Sequence, residues 1–141
     1  MIIRTATTRA EREMCFALRR AVFMGEQGVS EAEEWDGLED DCHHILALQD
    51  GQPVGTARLR PLGDTVKVQR VAVIASHRGT GLGHRIMAHA LDLARQMGSA
   101  RVTLEAQTHA IGFYEALGFA AHGPEFDDAG IAHRKMEMRL R

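Results

Sequence analysis

Two cysteines in 141 residues, Cys15 and Cys42, are too few for a disulfide framework, and a reducing cytoplasm fits that count. No apolar run approaches the ~20 residues of a membrane helix, and the N-terminus lacks a signal-peptide h-region, so neither a membrane nor a secreted class is expected. A net charge of −2 argues against a nucleic-acid footprint. Internal repeats and low-complexity tracts are missing as well. The chain has neither G-x-G-x-x-G with a downstream acid nor a Gly-Lys-Ser/Thr P-loop, which argues against dinucleotide and NTPase sites. Its histidines offer no metal spacing. His43 and His44 are adjacent and point to opposite faces of a strand, while His84 and His89 are five apart on a helix. No metal site is expected. What remains is 45% apolar and 26% charged, ordinary for one globular domain over residues 1–141 that buries about two-thirds of its unfolded surface.

What the chain does have is concentrated between Thr65 and Met97. The apolar run Val71-Ala72-Val73-Ile74 leads into the turn Arg78-Gly79-Thr80-Gly81-Leu82-Gly83. Three glycines in five positions remove Cβ atoms from a bend, permitting unusual φ values and close approach of a ligand. Leu82, Ile86, Ala90, Leu93 and Met97 then recur at helical period, and Gly98 ends the helix. Unpaired amides at that helix's start favour an anion, and Arg78 and Arg85 add cationic donors, so the stretch reads as a pyrophosphate cradle. In the strand before it, Val66 and Val68 are apolar at even positions but Val71 and Val73 at odd ones. Such a change of parity predicts a β-bulge, or else a strand buried on both faces.

Charge is unevenly placed. Residues 21–57 hold nine Asp or Glu and no Lys or Arg, so the rest of the chain is basic. A basic part suits a polyphosphate ligand and an acidic part a cationic amine; a solvated acidic loop is the plainer explanation. The remaining elements are read from local pattern. Ile2–Arg4 is a short edge strand. Thr8 and Glu11 form a capping box opening a helix to about Met24, broken by Gly25 and Gly28. Ser30–Cys42, with Trp35, is a surface helix or loop. His44–Gln49 and Pro53–Pro61 are strands joined at Asp50-Gly51, the second with Val54, Thr56 and Arg58 alternating against Gly55, Ala57 and Leu59, and Gly63-Asp64 turns into the bulged strand. Arg101–Gln107 is a strand, Ala110–Leu117 a short helix and Phe119–His122 a strand. Residues 123–131 read as a loop, before a last strand with Met136, Met138 and Leu140 facing inward. The order β-α-α-β-β-β-α-β-α-β-β predicts an α+β mixed fold, a mostly antiparallel sheet with helices on both faces. The fourth and fifth strands, joined by a helix, are parallel.

The pattern Arg78-x-x-Gly81-x-Gly83 after Val71-Ala72-Val73 resembles the coenzyme A signature of the GCN5-related N-acetyltransferases (GNAT). The run Ala110-Ile111-Gly112-Phe113-Tyr114-Glu115-Ala116-Leu117-Gly118-Phe119 is similar to that family's acyl-site helix and following strand. Two motifs in order, about 30 residues apart, are far more specific than either alone, and the resemblance covers most of the chain. Ala21–Val29 and Phe126–His133 further resemble the ElaA-like subgroup.

The resemblance implies a three-layer GNAT sandwich whose parallel strands splay apart at the bulge. It implies acetyl-CoA as acyl donor and a small-molecule amine, or a lysine or N-terminal amine, as acceptor. The cofactor-binding residues would be Val71, Ala72, Val73, Arg78, Gly79, Thr80, Gly81, Leu82, Gly83, His84, Gln107 and Phe113, with His77 and His84 flanking the cradle. Val71 and Val73 would pair with pantetheine through their backbones. Tyr114 would be the acid facing the departing thiolate. Gln107 stands where the family often has Asn. Gln69 stands where the central strand often carries a Glu, and it cannot act as a base. Glu26 is then the first-ranked base, from the acceptor-side segment, ahead of Asp36, Glu105, His133 and ordered water. Neither cysteine shows a sign of activation, so direct attack in a ternary complex is expected over a covalent acyl-enzyme. A non-catalytic coenzyme A sensor or interaction module is the alternative, motivated by Gln69, and a nucleotide-binding protein is a distant third. The C-terminal strands permit a homodimer.

Overall fold

The structure is a computed structural model describing residues 1–30 and 39–141. Strand β1 is Ile2–Thr5, helix α1 Arg9–Arg19, continued by a π-helix over Arg20–Glu26. Strands β2 (His43–Gln49), β3 (Gln52–Leu62) and β4 (Thr65–Val73) follow, then helix α2 (Leu82–Gln96). Strand β5 (Arg101–Gln107), helix α3 (Ile111–Ala116), β6 (Ala120–Asp128) and β7 (Ile131–Arg139) complete the chain. Among the described residues seven strands form one sheet in the order β1-β2-β3-β4-β5-β7-β6, antiparallel except for β4 against β5. Ile45 and Ala47 of β2 join the core under α2, whereas Leu46 and Leu48 pack with Cys15 of α1. Helices therefore cover both faces of the sheet, as expected.

Local chemistry explains the starting points. Thr8 Oγ1 accepts from the Glu11 amide at 3.1 Å, and Glu11 Oε1 accepts in return from the Thr8 amide at 3.2 Å, closing the capping box. Asp50 and Gly51 both adopt positive φ, +51° and +78°, the backbone of a type I′ hairpin turn between β2 and β3. Helix α2 buries Leu82, Ile86, Met87, Ala90, Leu91 and Ala94. Each large apolar side chain so buried contributes on the order of 2 kcal/mol. Gly55 in β3 lets α2 lie close, since a Cβ there would sit 2.5 Å from Ile86 Cδ1.

The bulge is present. Arg58 of β3 faces Gln69 and Thr56 faces Ala72, so β4 carries one extra residue between those points. It falls beside Arg70, whose φ of +54° costs a non-glycine residue roughly 1–2 kcal/mol. Val66 and Val68 before it, and Val71 and Val73 after it, all pack into the α2-side core, while Ala72 turns to Leu18 and Val22. Parallel pairing of β4 with β5 runs from Thr65↔Arg101 to Val68↔Leu104 and stops there, although both strands continue. A wedge opens between them.

Four expectations need correction or restriction. Residues 123–128 are not loop: β6 runs to Asp128 and turns back at Ala129-Gly130. The span from His122 to Phe126 faces only Lys135 to His133 on β7. Gly123-Pro124-Glu125 is thus an irregularity in an edge strand, where a proline interrupts no further ladder. The first helix loses α-geometry after Arg19 and widens into the π-helix to Glu26. Strand β3 does not alternate; Val54 through Leu59 are all buried, because it is central and covered on both faces. Of the expected surface segment, Glu39–Asp41 forms a 3₁₀ turn, while Trp35 and the base candidate Asp36 lie outside the described residues.

Candidate active site

The cradle forms at the junction of β4 and α2. Gly79 and Gly81 take positive φ, +75° and +85°, and Gly81 is the N-cap of α2 without any side-chain cap bond. The first helical hydrogen bond is Arg85 N–H to Gly81 O at 3.2 Å, leaving earlier amides of the turn for a ligand. Gly83 has a different role from its two neighbours. It lies within the helix, and a Cβ there would come 3.2 Å from the Phe113 ring, whose centroid is 4.8 Å from that of the His84 ring at a 60° tilt. The loop is fastened from behind, where Thr80 Oγ1 donates to His77 O at 2.5 Å and the His77 ring bonds Gln49. The cradle opens on a cavity of about 470 Å³ walled by Val71, Val73, His77, Arg78, Gly79, Gly81, Gly83, His84 and Phe113.

Val71, Val73 and Arg78 also line a larger cavity of about 590 Å³, which occupies the wedge between β4 and β5. The two spaces therefore share a wall. On one side stands Tyr114, 8% exposed, its ring edge-on to Phe113 at 4.9 Å and to Phe119 at 5.9 Å. Burial alone pushes its phenol up to about 12. It stays protonated at neutral pH, a hydrogen-bond donor at the wedge.

Much of the remaining wall is polar. The π-helix brings Val22, Phe23, Glu26 and Gln27 to the cavity. Glu26 Oε2 is held by Arg78 Nη2 at 2.5 Å, while Arg78 Nε donates to Val73 O at 3.0 Å. Arg78 thus ties the cradle loop to both β4 and the π-helix, and Glu26 is half of an ion pair. Glu105 is engaged too, by Lys67 Nζ at 2.7 Å across the last paired stretch of β4 and β5. Gln107 donates to Gln27 Oε1 at 2.9 Å and accepts from His109 Nε2 at 2.7 Å. Gln69 accepts from the buried Arg58 at 2.6 Å. His133 enters from β7, where it stands directly across from Gln107 of β5, and is 8% exposed.

A family model for the acetyltransferase (GNAT) domain matches residues 9–140. The chain belongs to the GNAT family, and it is an N-acetyltransferase. It is similar to YyaT of Bacillus subtilis, 39% identical, over 99% of this chain and 97% of that one. It is also similar to ElaA of Escherichia coli, 31% identical over 82% of this chain and 79% of ElaA. The crystal structure of ElaA superposes with a TM-score of 0.86 at 26% identity, over 98% of this chain and all of the other. An acyl-CoA N-acyltransferase of Pseudomonas aeruginosa superposes at 0.88 with 30% identity, over 98% and 99% of the two chains. The GNAT sandwich and the ElaA-like subgroup both follow.

Within this GNAT fold most of the motif residues divide between two cavities, neither of which Thr80 or Leu82 lines. Arg78, the cradle glycines, His84 and Phe113 share one cavity; Gln107, Tyr114, Glu26 and His133 share the other. Gln27, Lys67 and His109 escaped notice. Their partners Gln107, Glu105 and Gln107 lie 80, 38 and 2 residues away, and the longer separations leave no local signal.

Proposed function

We propose that this chain transfers an acetyl group from acetyl-CoA to a primary amine by direct attack in a ternary complex. The observation that carries this reading is the wedge. Past Val68 and Leu104 the facing edges of β4 and β5 are unpaired, and an extended, amide-bearing chain fits such an edge as an added strand would. The cradle lies at one end of that wedge and Tyr114 borders it. Pantetheine would lie along Val71, Ala72 and Val73, and the pyrophosphate would meet the amides of Gly79 through His84 with Thr80 and Leu82 in the turn. Because Arg78 Nε occupies Val73 O, pantetheine would displace that one bond while Arg78 Nη2 keeps Glu26. Bound acetyl-CoA supplies the reactive thioester carbonyl.

Tyr114 supplies the hydrogen at the departing sulfur. With its phenol near 12, full transfer to a thiolate of ordinary pKa ~8.5 would be uphill by roughly 5 kcal/mol. Tyr114 would act mainly by a hydrogen bond that strengthens as negative charge builds on sulfur, with the proton passing late. A covalent acyl-enzyme finds no support in the cysteines. Cys15 is fully buried on the inner face of α1, burial pushes its thiol up, and neither cysteine lines the wedge.

Two measurements test this. Saturating acetyl-CoA should raise the melting midpoint, since ligand at 100 times Kd stabilises by about 2.7 kcal/mol, and an unmoved midpoint at millimolar ligand contradicts donor binding. Initial rates with both substrates varied should give intersecting lines; parallel lines would indicate an acyl-enzyme.

A further inference from the structure

Among the described residues five groups around the wedge could accept the amine proton, and four are paired or exposed, Asp128 at the β6–β7 turn among the exposed ones. Glu26 is paired with Arg78 and Glu105 with Lys67. His109 has its Nε2 bonded to Gln107 and sits at the exposed rim. His133 differs. Its Nδ1 lies 2.7 Å from the backbone oxygen of Ile131, and a carbonyl only accepts, so Nδ1 carries the hydrogen. The lone pair of the neutral ring is therefore on Nε2. Among the described residues Nε2 has no partner, and it is not among the atoms sealed from solvent. The ring is held by its stack on Phe126, 5.9 Å between centroids and 24° between planes, directly across β6 and β7. A residue with only 8% exposure thus presents one fixed, unpartnered lone pair within the cavity that holds Tyr114.

We propose that His133 is the general base for the acceptor amine. This rests on the acetyl-transfer reading above and goes beyond it. An ammonium acceptor gives one proton to Nε2, the amine nitrogen forms the C–N bond, and the thioester C–S bond breaks. The sulfur leaves with a proton from Tyr114, which is restored by the second nitrogen proton as the amide forms. The proton on Nε2 passes to solvent, so each turnover releases one. Glu26 keeps a positioning role, orienting Arg78 at the junction of the two cavities.

The first test needs no turnover. In protein with ¹⁵N-labelled histidine, the ring signals that vanish in His133→Gln should show the Nδ1–H tautomer in the free protein; an Nε2–H tautomer overturns the assignment. The second test is kinetic. His133→Ala should lower kcat with the best panel amine by ~10²–10⁴-fold. It should leave coenzyme A affinity within about threefold, and added imidazole should restore at least tenfold of the lost rate. His133→Gln, which keeps a polar side chain, should be equally slow. Turnover above a third of wild type in either variant overturns the base assignment alone, as does a loss that imidazole leaves untouched. Failure of the wild-type protein to turn over any amine overturns the acetyl-transfer reading, and the base assignment with it.

Discussion

At the cradle, six consecutive residues, Arg78 to Gly83, supply the donors, the bend and the helix start. In the wedge, the groups that share a cavity with Tyr114 come from the π-helix, from β4 and β5, and from β7, the last strand of the chain. The first region is built by backbone: amide N–H groups, two positive-φ glycines and a third glycine whose missing Cβ admits Phe113. The second is built by side chains whose protonation and pairing decide what they can do. A backbone site tolerates little change in spacing and so leaves a motif. A side-chain site needs only that distant residues meet, and many sequences satisfy that.

The comparison can be broken most severely at the bulge. Deleting Arg70 would restore regular pairing of β4 with β3 and let β4 pair further along β5, closing the wedge. Coenzyme A affinity should fall at least ~100-fold, a loss of about 3 kcal/mol, while far-UV circular dichroism stays unchanged. Retained affinity in titration calorimetry would remove the wedge from the account.

Alkaline unfolding probes the side-chain region next. Tyr114 has a folded pKa of about 12 against an ordinary 10, so the folded state holds this proton more tightly. The associated stability is fully present below pH 10 and is lost as pH rises from 10 through 12, by roughly 3 kcal/mol in all. Tyr114→Phe should flatten that alkaline limb of a urea-denaturation series. A smaller effect is expected at the cradle. Gly83→Val, pressing on Phe113, should weaken coenzyme A binding by about tenfold while the melting midpoint shifts by only a few degrees.

Furthest from both regions, Glu11 sharpens the contrast by touching neither. Hydrogen bonds from the Thr7 backbone, outweighing desolvation and aided by Thr8 and Arg4, hold its carboxyl down at about 2. Its contribution is present above pH ~4.5 and lost as pH falls toward 2. Glu11→Gln should make acid unfolding less steep in that window and leave coenzyme A affinity unchanged.

Much of the fold could be read locally. The Leu82–Met97 stripe gave α2 within one residue of its end, Asp50-Gly51 gave a hairpin, and Thr8 with Glu11 gave the start of α1. The shift of valine parity from 66/68 to 71/73 left a bulge or a strand buried on both faces, and the extra residue between Gln69 and Ala72 decides for the bulge. Other features depend on long-range context. Gly123-Pro124 spells a loop in any local reading, yet an edge strand absorbs it as an irregularity. The widening of α1 into a π-helix left no mark in its apolar spacing. Arg58 is charged yet wholly buried, since β3 is central and Gln69 meets it from the next strand. In the candidate site, Glu26 reads as a free carboxylate until Arg78, 52 residues on, is placed against it. His133 could be named from sequence only as one candidate among several; the Ile131 carbonyl that orients its ring is what distinguishes it.

The most direct test of the central claim is release of free coenzyme A thiol from acetyl-CoA with a panel of polyamines, amino sugars, amino acids and lysine peptides. The account predicts turnover with one class of amine, reduced about 100-fold in Tyr114→Phe with coenzyme A affinity within twofold of wild type. Tight acetyl-CoA binding without turnover on any amine, or a Tyr114→Phe variant as fast as wild type, would contradict it.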